Sequence, residues 1–351
     1  MMLIAAAAFT LASMVTHTDT ILTVRPGTVL DVSNYGGSVA VTSWNRNAVH
    51  IEADHSRRTN VQIETGPNAL QISTNGRYGP AGVVDFQIEV PVWMSITVRG
   101  PFTDVQVEGT KGGVTVETVR GEVSVIGGSG LISLSTVQGS VSLQKANGRM
   151  KVSSINEGVS VEDVVGDIDA QTVNGDVSIS RAVADAIEAV SVSGDLIYAG
   201  SLKRDGQYHF QTHSGDIQLL VPDRTGAYVG VSTFSGEFGT NCPVQLTQLK
   251  RHKQFQFTLG GGGAQLELES FSGDIQLQAG KGTLMNLEDL KDLKDLQDFK
   301  GLKEFKNAKE FRNLKEFEKM KALRKFQSDA KHKQDNQEET PETPPPPDEE
   351  K

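Results

Sequence analysis

The stretch "TVNGDVSIS", Thr172 to Ser180, decides the fold of this chain, because close variants of it recur along most of the sequence. After Gly175, apolar and polar residues alternate strictly, which is typical of a β-strand with one apolar face. The repeated unit reads Gly, any residue, apolar, any residue, apolar, two free positions, apolar, any residue. Such units begin at Gly121, Gly130, Gly139, Gly148, Gly158, Gly166 and Gly175.

A finer signature returns in every second unit: Thr or a small residue, then an apolar or aromatic residue, a polar residue and Gly. Examples are "TVRGEV" from Thr118 and "SFSGDI" from Ser270. The glycines of these units lie 17 to 21 residues apart until a last gap of about twice that length. The pattern therefore indicates two strands per coil, with structural turn glycines at Gly121, Gly139, Gly158, Gly175, Gly194, Gly215, Gly236 and Gly273.

This repeat predicts an all-β fold, a parallel β-solenoid built from two-strand coils of about 18 residues. The apolar third and fifth positions of each unit should point inward together. Glycine should supply the positive φ of a tight corner, and the apolar eighth position should turn toward the core. A sandwich of two sheets made from short hairpins is the alternative.

The changes in composition along the chain predict five segments. Residues 1–12 form a signal peptide, 20–100 form an N-terminal cap with the first coils, and 101–282 form the solenoid repeats. Residues 284–333 form a charged amphipathic α-helix, since strong helix formers dominate there. Residues 334–351 form a disordered, acidic, Pro-rich tail.

The apolar run from Leu3 to Val15 is shorter than the ~20 residues of a membrane-spanning helix, and it resembles the core of a signal peptide. Cleavage after Ala12 would place Thr10 and Ala12 at the two positions that signal peptidase reads. No Lys or Arg precedes the run, so a buried N-terminal segment is the alternative. We expect export to the periplasm or the cell surface.

One further set of residues resembles a known family. A strand ending in Val90 and Pro91 is followed by "SITVRG" and then by a train of Gly, acidic or Ser, Val or Ile units. Over about residues 20–280 this is similar to the bacterial putative-adhesin family of exported β-repeat proteins, a domain of unknown function. The resemblance implies a β-solenoid associated with the cell envelope. It transfers no catalytic residue, because the family has no assigned catalytic site.

The predicted C-terminal helix has an apolar residue at every third position, so its apolar stripe circles the helix rather than forming a straight coiled-coil seam. Lys and Arg outnumber Asp and Glu within 284–333. A solvated rod is one interpretation. The other is a surface that contacts a membrane peripherally, binds a partner or mediates self-association.

Composition and motifs exclude several classes of function. The net charge of −10 gives no electrostatic reason to bind nucleic acid. The single cysteine, Cys242, cannot form an intramolecular disulfide and is interpreted as a packing residue. "GGGG" at 260–263 lacks the Lys and Ser or Thr of a phosphate-binding loop, so we interpret it as a turn.

The acidic residues and the histidines are the candidate metal ligands of the sequence. Aspartates follow several repeat glycines, at Asp167, Asp176, Asp195, Asp216 and Asp274, but the Gly-Gly-x-Gly-x-Asp pattern of calcium arrays is absent. Capping of corner amides is the preferred role for these carboxylates. The pair His209 and His213 and the pair His50 and His55 are interpreted as surface residues, because their spacing on strands separates them. We predict neither a cofactor nor a metal.

These observations favour a non-enzymatic exported scaffold or adhesin-like surface that binds a protein or a glycan at the cell envelope. One alternative is a carbohydrate-active enzyme on a β-helix, which would need carboxylates that converge on one lateral face. Another is an envelope stress or signalling component whose C-terminal helix binds a membrane or a partner.

Overall fold

The computed structural model of the chain describes residues 15–77, 79–242, 244–250 and 254–280. All of them fall in Met1–Asp298, the first of two compact units of the chain. They form an all-β structure of two long sheets, of 13 and 14 strands, here called the first sheet and the second sheet. The predicted signal peptide, C-terminal helix and tail lie outside these residues. Within the described part of the chain, no helix is both long enough and apolar enough to span a membrane.

Nine strands make up the N-terminal part of the described chain. They are β1 (Val15–Thr23), β2 (Val29–Ser33), β3 (Gly36–Trp44), β4 (Ala48–Ser56), β5 (Thr59–Thr65), β6 (Ala69–Gly76), β7 (Val84–Pro91), β8 (Ser95–Gly100) and β9 (Phe102–Glu108). The pairs β2–β8, β2–β6, β3–β9 and β3–β7 are parallel. Strand β7 ends at Pro91, where the sequence predicts the break, because Pro cannot donate to a continuing ladder.

Twelve short strands form the regular middle of the structure. They are β10 (Val114–Thr118), β11 (Val123–Ile126), β12 (Ser129–Ser135), β13 (Val141–Gln144), β14 (Asn147–Ser153), β15 (Val159–Glu162), β16 (Ile168–Gln171), β17 (Val177–Ser180), β18 (Ala186–Ser191), β19 (Leu196–Ala199), β20 (Gln207–Thr212) and β21 (Ile217–Pro222). Consecutive strands lie in different sheets, and each strand pairs in parallel with the second one along. Val123, Val141, Val159 and Val177 pair in succession, a step of 18 residues. This stacking is consistent with a β-solenoid and contradicts the hairpin sandwich.

The core between the two sheets is mainly aliphatic, with buried aromatic rings at Phe86, Tyr198, Tyr208, Phe210 and Phe257. The third and fifth positions of the repeat point inward, as the alternation predicts, and each of these side chains is at most 3% exposed. Each Val, Leu, Ile or Met side chain among them contributes on the order of 1.5 to 3 kcal/mol when fully buried, and each Ala contributes less. On the first sheet they include Val123, Val125, Val141, Leu143, Val159, Val161, Val177 and Ile179, and on the second sheet Ile132, Leu134, Met150, Val152, Ile168, Ala170, Ile187 and Ala189.

Six strands complete the C-terminal end. They are β22 (Ala227–Thr233), β23 (Phe238–Thr240), β24 (Val244–Lys250), β25 (Gln254–Leu259), β26 (Ala264–Ser270) and β27 (Ile275–Gly280). The coil β26–β27 lies between the coils β20–β21 and β22–β23, so coils here do not stack in chain order. Strand β25 pairs antiparallel with the outer edge of β22, and β24 covers β25. The hairpin β24–β25, inserted between β23 and β26, explains the doubled last gap between repeat glycines.

The N-terminal end shows a similar exchange. The coil β2–β3 lies between the coils β6–β7 and β8–β9, so it pairs with strands on both sides. Antiparallel strands then close the end, with β4 on β7, β1 on β4 and β5 on β6. Such edges would otherwise offer unpaired backbone groups to other chains.

Candidate functional site

Each coil passes from the second sheet to the first through four residues that we call the glycine corner, such as 172–175. The first residue of each corner is a buried hydroxyl residue. Thr172 donates to the carbonyl oxygen of Glu157 at 2.9 Å, and Thr212 donates to that of Gly194 at 3.1 Å. Seven of the eight corner hydroxyls donate in this way to a turn carbonyl of a neighbouring coil, and the eighth, Thr233, accepts from the Gly236 amide. The buried set is Thr118, Thr136, Ser154, Thr172, Ser191, Thr212, Thr233 and Ser270.

The second residue of each corner is exposed or half-buried, and these residues form one column that we call the apolar ridge. Each coil hydrogen-bonds to the next along it; for example, the amide of Asn174 donates to the carbonyl of Ile155 at 2.8 Å, and that of Ser193 to Val173 at 2.7 Å. Val119 is 47% exposed. In spatial order the ridge consists of Val119, Val137, Ile155, Val173, Val192, His213, Phe271 and Phe234.

The ridge corrects one prediction from the sequence. The apolar eighth position of the repeat was expected to turn inward. It does so at the opposite corner, where each coil returns from the first sheet to the second, since Ala146 and Ala182 are buried there. At the glycine corner, Val137, Ile155 and Val173 instead lie on the outer side and are half-buried. The hydroxyl takes the inward position there because a buried turn carbonyl needs a donor that Val or Ile cannot supply.

Aromatic rings occupy both ends of this surface. At one end His213, Phe271 and Phe234 stack in succession, with 4.8 Å between neighbouring ring centroids. At the other end Tyr35 meets Phe102 edge to face at 5.6 Å, and the Arg120 guanidinium lies 5.7 Å from the Phe102 centroid. Aromatic residues are typical of the anchoring positions of protein interfaces.

The eight predicted turn glycines do lie at corners, but positive φ is not their common feature. Only Gly121 and Gly139 of the eight show it, at 157° and 145°. In seven of them an added Cβ would instead come within 3.0 Å of backbone in the next coil, as at Gly194 against Gly175. The exception, Gly158, is one residue out of register, and its Cβ would lie 3.1 Å from the Asp176 oxygen.

The opposite corner places non-glycine residues at positive φ. Lys145, Asp163 and Arg181 have φ of 54°, 54° and 50° and succeed one another at 18-residue steps. Arg181 donates to Glu162 and to Asp163, and this guanidinium lowers the pKa of the Asp163 carboxyl. Ion pairing thus supports a backbone conformation that the sequence pattern assigned to glycine alone.

A carboxylate column follows the corner glycines, and it confirms the predicted capping role for Asp176, Asp195, Asp216 and Asp274; the role stays a prediction for Asp167, which follows Gly166 outside this column. Asp176 accepts a hydrogen bond from the Asp195 amide at 2.8 Å, and Asp195 accepts one from the Asp216 amide at 2.8 Å. Asp216 and Asp274 continue the series onto the coils beyond. These carboxylates therefore pair with backbone donors of neighbouring coils, as capping requires.

Two surface depressions flank these elements. One has a volume of about 490 Å³ and lies beside the N-terminal end of the ridge, with Tyr35, Arg99 and Val119 among its lining residues. The other, of about 520 Å³, is lined by Arg204, Arg224 and part of the "GGGG" turn. That turn joins β25 to β26, as the sequence predicts.

The structure places Cys242 and the two predicted histidine pairs in different environments. Cys242 is 7% exposed in the core, and burial raises the pKa of its thiol, as suits a packing residue. His213 lies beyond the end of β20 and so does not share a strand with His209. His50 and His55 face opposite sides of β4, but His55 is buried rather than on the surface, because its side of the strand faces inward.

One group among the described residues has the ligand types and spacing to hold a metal ion: Asp19, His50 and Glu52. The sequence interpretation missed it. Asp19 is distant from the other two in the chain, and only the antiparallel pairing of β1 with β4 brings them together.

Comparison with known proteins agrees with the architecture. The model of the Toastrack DUF4097 family matches residues 30–278, well over half of the chain. The chain belongs to this family. The Toastrack match covers the ridge and all eight corner glycines. Among curated proteins, none matches the chain.

Solved structures similar to this Toastrack chain share little sequence with it. A putative adhesin from Bacteroides fragilis is 12% identical over 74% of this chain and 96% of that chain, with a TM-score of 0.37. A putative cell adhesion protein from Clostridium sporogenes is 10% identical over 76% and 100%, with a TM-score of 0.23. A putative adhesin from Parabacteroides distasonis is 12% identical over 76% and 98%, with a TM-score of 0.26.

Proposed function

We propose that this Toastrack chain is an exported, non-enzymatic scaffold of the cell envelope that binds a protein partner through the apolar ridge. The observation that carries the proposal is the ridge itself. Eight side chains, four of them exposed and four half-buried, are held in one column by a continuous backbone ladder, and all but His213 are apolar or aromatic. Contiguous apolar surface of this kind marks interaction sites on soluble domains.

The ridge favours a protein over a glycan as the partner. Its stacked rings, Phe271 and Phe234, lie nearly parallel, with an interplanar angle of 3°, so they cover one another's faces along the column. Sugars stack on open aromatic faces, whereas apolar side chains pack against edges and aliphatic groups equally well. A polar column that includes Asn156 and Asn174 runs beside the ridge and offers hydrogen bonds to an extended polypeptide.

A carbohydrate-active enzyme would need converging carboxylates next to space for a sugar. Carboxylates do converge around His50 on the outer face of β4. However, the His50 ring lies within hydrogen-bond distance of Asp19 and Glu89, so an imidazole occupies the space between them. Neither surface depression described above includes these residues. A non-enzymatic role is therefore the better proposal. The predicted helix 284–333 remains a second candidate surface for a membrane or a partner.

Site-specific photocrosslinking in the cells that naturally produce the full-length chain tests the binding surface. A photoreactive residue at Val173, on the ridge, should give a discrete product that protease digests. The matched control places the same residue at Ser142, on the outward sheet face of a nearby coil. Equal product from both positions, no discrete product, or a product that only glycan hydrolases remove would contradict the proposal.

Export is tested separately by fractionating cells that produce the full-length chain with a C-terminal epitope. We expect the processed chain in the periplasmic or surface fraction, shortened at about residue 12. An uncleaved chain confined to the cytoplasm would contradict the proposed location.

A further inference from the structure

A cluster of one histidine and three carboxylates lies on the outer face of the antiparallel strands β1, β4 and β7. In the sheet register, Asp19 is opposite Glu52, and His50 is opposite Glu89. Alternation places all four side chains on the face away from the core, since Val49, Ile51 and Ile88 point inward. The pairing of three strands therefore builds this cluster from distant parts of the chain.

The His50 ring is held at both nitrogens and on one face. Its Nδ1 lies 3.1 Å from Glu89 Oε2, and its Nε2 lies 2.8 Å from Asp19 Oδ1 and 3.5 Å from Glu52 Oε1. The indole of Trp44 stacks on the ring with an interplanar angle of 16° and 6.2 Å between centroids. A proton on Nδ1 bonded to Glu89 leaves the Nε2 lone pair directed at Asp19 and Glu52.

The charge around the cluster is strongly unbalanced. Strands β1, β3, β4 and β7 contain no Lys or Arg. Among the other carboxylates of these strands, Asp54 lies 2.9 Å from His17, and Asp85 accepts hydrogen bonds from the neutral Ser38. Arg46, on the turn between β3 and β4, has its guanidinium carbon 4.8 Å from the centroid of the Trp44 ring. The carboxylates that face this surface are Asp19, Glu52, Asp54, Asp85 and Glu89.

We propose that Asp19, His50 and Glu52 bind one divalent transition-metal ion of the zinc class. Their ligand atoms all lie within 4.8 Å of one another. In a tetrahedral Zn²⁺ site with ligand distances of ~2.0 to 2.2 Å, two ligand atoms lie about 3.3 to 3.6 Å apart, so side-chain rotations must bring these atoms closer to close the site. Glu89 is the positioning residue, because a carboxylate on the second imidazole nitrogen is a common partner of a metal-bound histidine.

The chemistry of the ligands favours this class over calcium. Ca²⁺ takes six to eight oxygen ligands, whereas an imidazole and two carboxylates with open positions suit Zn²⁺ or a similar ion. The bound metal would join Asp19 of the edge strand β1 to two residues of β4. It would thus fasten the outermost strand of the first sheet, a role that is independent of binding at the ridge.

Titration calorimetry with zinc chloride tests the site on the full-length chain, prepared without a polyhistidine tag. We expect one high-affinity site in the wild type, its loss in His50→Gln, and an affinity weakened about 10- to 100-fold in Glu89→Gln. His17→Gln is the matched control on the same face, and it should bind zinc within about twofold of the wild type. The affinity should also fall at pH 5.5, because protons compete for His50.

A thermal-unfolding measurement keeps the test decisive if His50→Gln folds poorly. Zinc should raise the unfolding midpoint of the wild type and of His17→Gln, and it should leave that of Asp19→Asn unchanged. Absence of a tight site in the wild type, equal affinity in His50→Gln and His17→Gln, or equal stabilisation by calcium would overturn the proposal.

Discussion

The turn glycines of the corner are needed for the close approach of neighbouring coils rather than for backbone freedom. A Cβ at Gly194 would come within 3.0 Å of the Gly175 carbonyl, whereas one at Gly158 would lie 3.1 Å from the Asp176 oxygen. Both were predicted as turn glycines of one repeat, but Gly194 lies at the fourth position of its corner and Gly158 lies one residue later, after Glu157. The two glycines therefore differ in how closely the backbone of a neighbouring coil approaches them, and the sequence alone does not show this difference.

We predict that Gly194→Ala lowers the free energy of unfolding by about 3 kcal/mol or more, since backbone must move to admit the methyl group. Gly158→Ala should change it by less than about 1 kcal/mol, because reduced entropy of the unfolded chain offsets a milder contact. Urea denaturation of the two variants and the wild type measures the difference. Equal losses of unfolding free energy in both variants would contradict the explanation that glycine is needed where neighbouring coils approach closely.

At the residue scale, the sequence correctly predicts which strand positions are buried, because alternation in a strand has only two outcomes. It fails at the corner, where Thr172 is buried and Val173 faces outward. Hydrophobicity alone predicts the opposite arrangement, with Val173 buried and Thr172 on the surface. The deciding factor is the carbonyl of Glu157, whose need for a donor appears only when coils are stacked.

At the element scale, the antiparallel strands β1 and β4 carry a pH-sensitive contact. Hydrogen bonds that His50 donates to the Glu89 and Asp19 carboxylates raise its pKa above the ordinary value of 6.5, and a hydrogen bond to Asp54 raises that of His17. A histidine with a raised pKa in the folded state contributes its stability fully below the unfolded pKa. That contribution is lost as the pH rises through the folded pKa.

We therefore predict that, without metal, the wild type loses more stability between pH 6 and pH 8.5 than the double variant His17→Gln, His50→Gln. Urea denaturation in the presence of a chelator at the two pH values is the measurement. His209→Gln, which removes a histidine from β20 on the other sheet, should behave like the wild type. The same pH dependence of stability in the wild type and the double variant would show that the contacts of His17 and His50 do not contribute to it.

The exchange of coil order at both ends is the element-scale feature that the sequence does not reveal. Local pattern identifies β26 and β27 as a repeat unit, and the doubled gap marks an interruption before them. Neither observation states that this unit pairs with β20 and β21 instead of following β22 and β23. The outcome depends on which sheet edge the hairpin β24–β25 covers, which is a tertiary property.

At the scale of the whole molecule, the repeat alone predicts an all-β, coil-stacked chain, and the Toastrack family match agrees with it. The candidate sites were less accessible from sequence. The ridge needs the coil register, and the His50 cluster needs the antiparallel pairing of β1, β4 and β7. Both sites combine residues that are far apart in the chain or that lack any local motif.

The stacking of interchangeable 18-residue coils is the claim on which the ridge depends, and an internal deletion tests it most directly. Removing residues 141–158 takes out one whole coil and joins Ser140 to Val159, so every later strand keeps its sheet. Removing residues 141–149 takes out half a coil and would move every later strand to the opposite sheet. Cooperative urea unfolding of the two variants is the measurement. We predict a single sharp transition near the wild-type midpoint for the first deletion and no cooperative transition for the second. Similar unfolding of both variants would contradict the stacked-coil account.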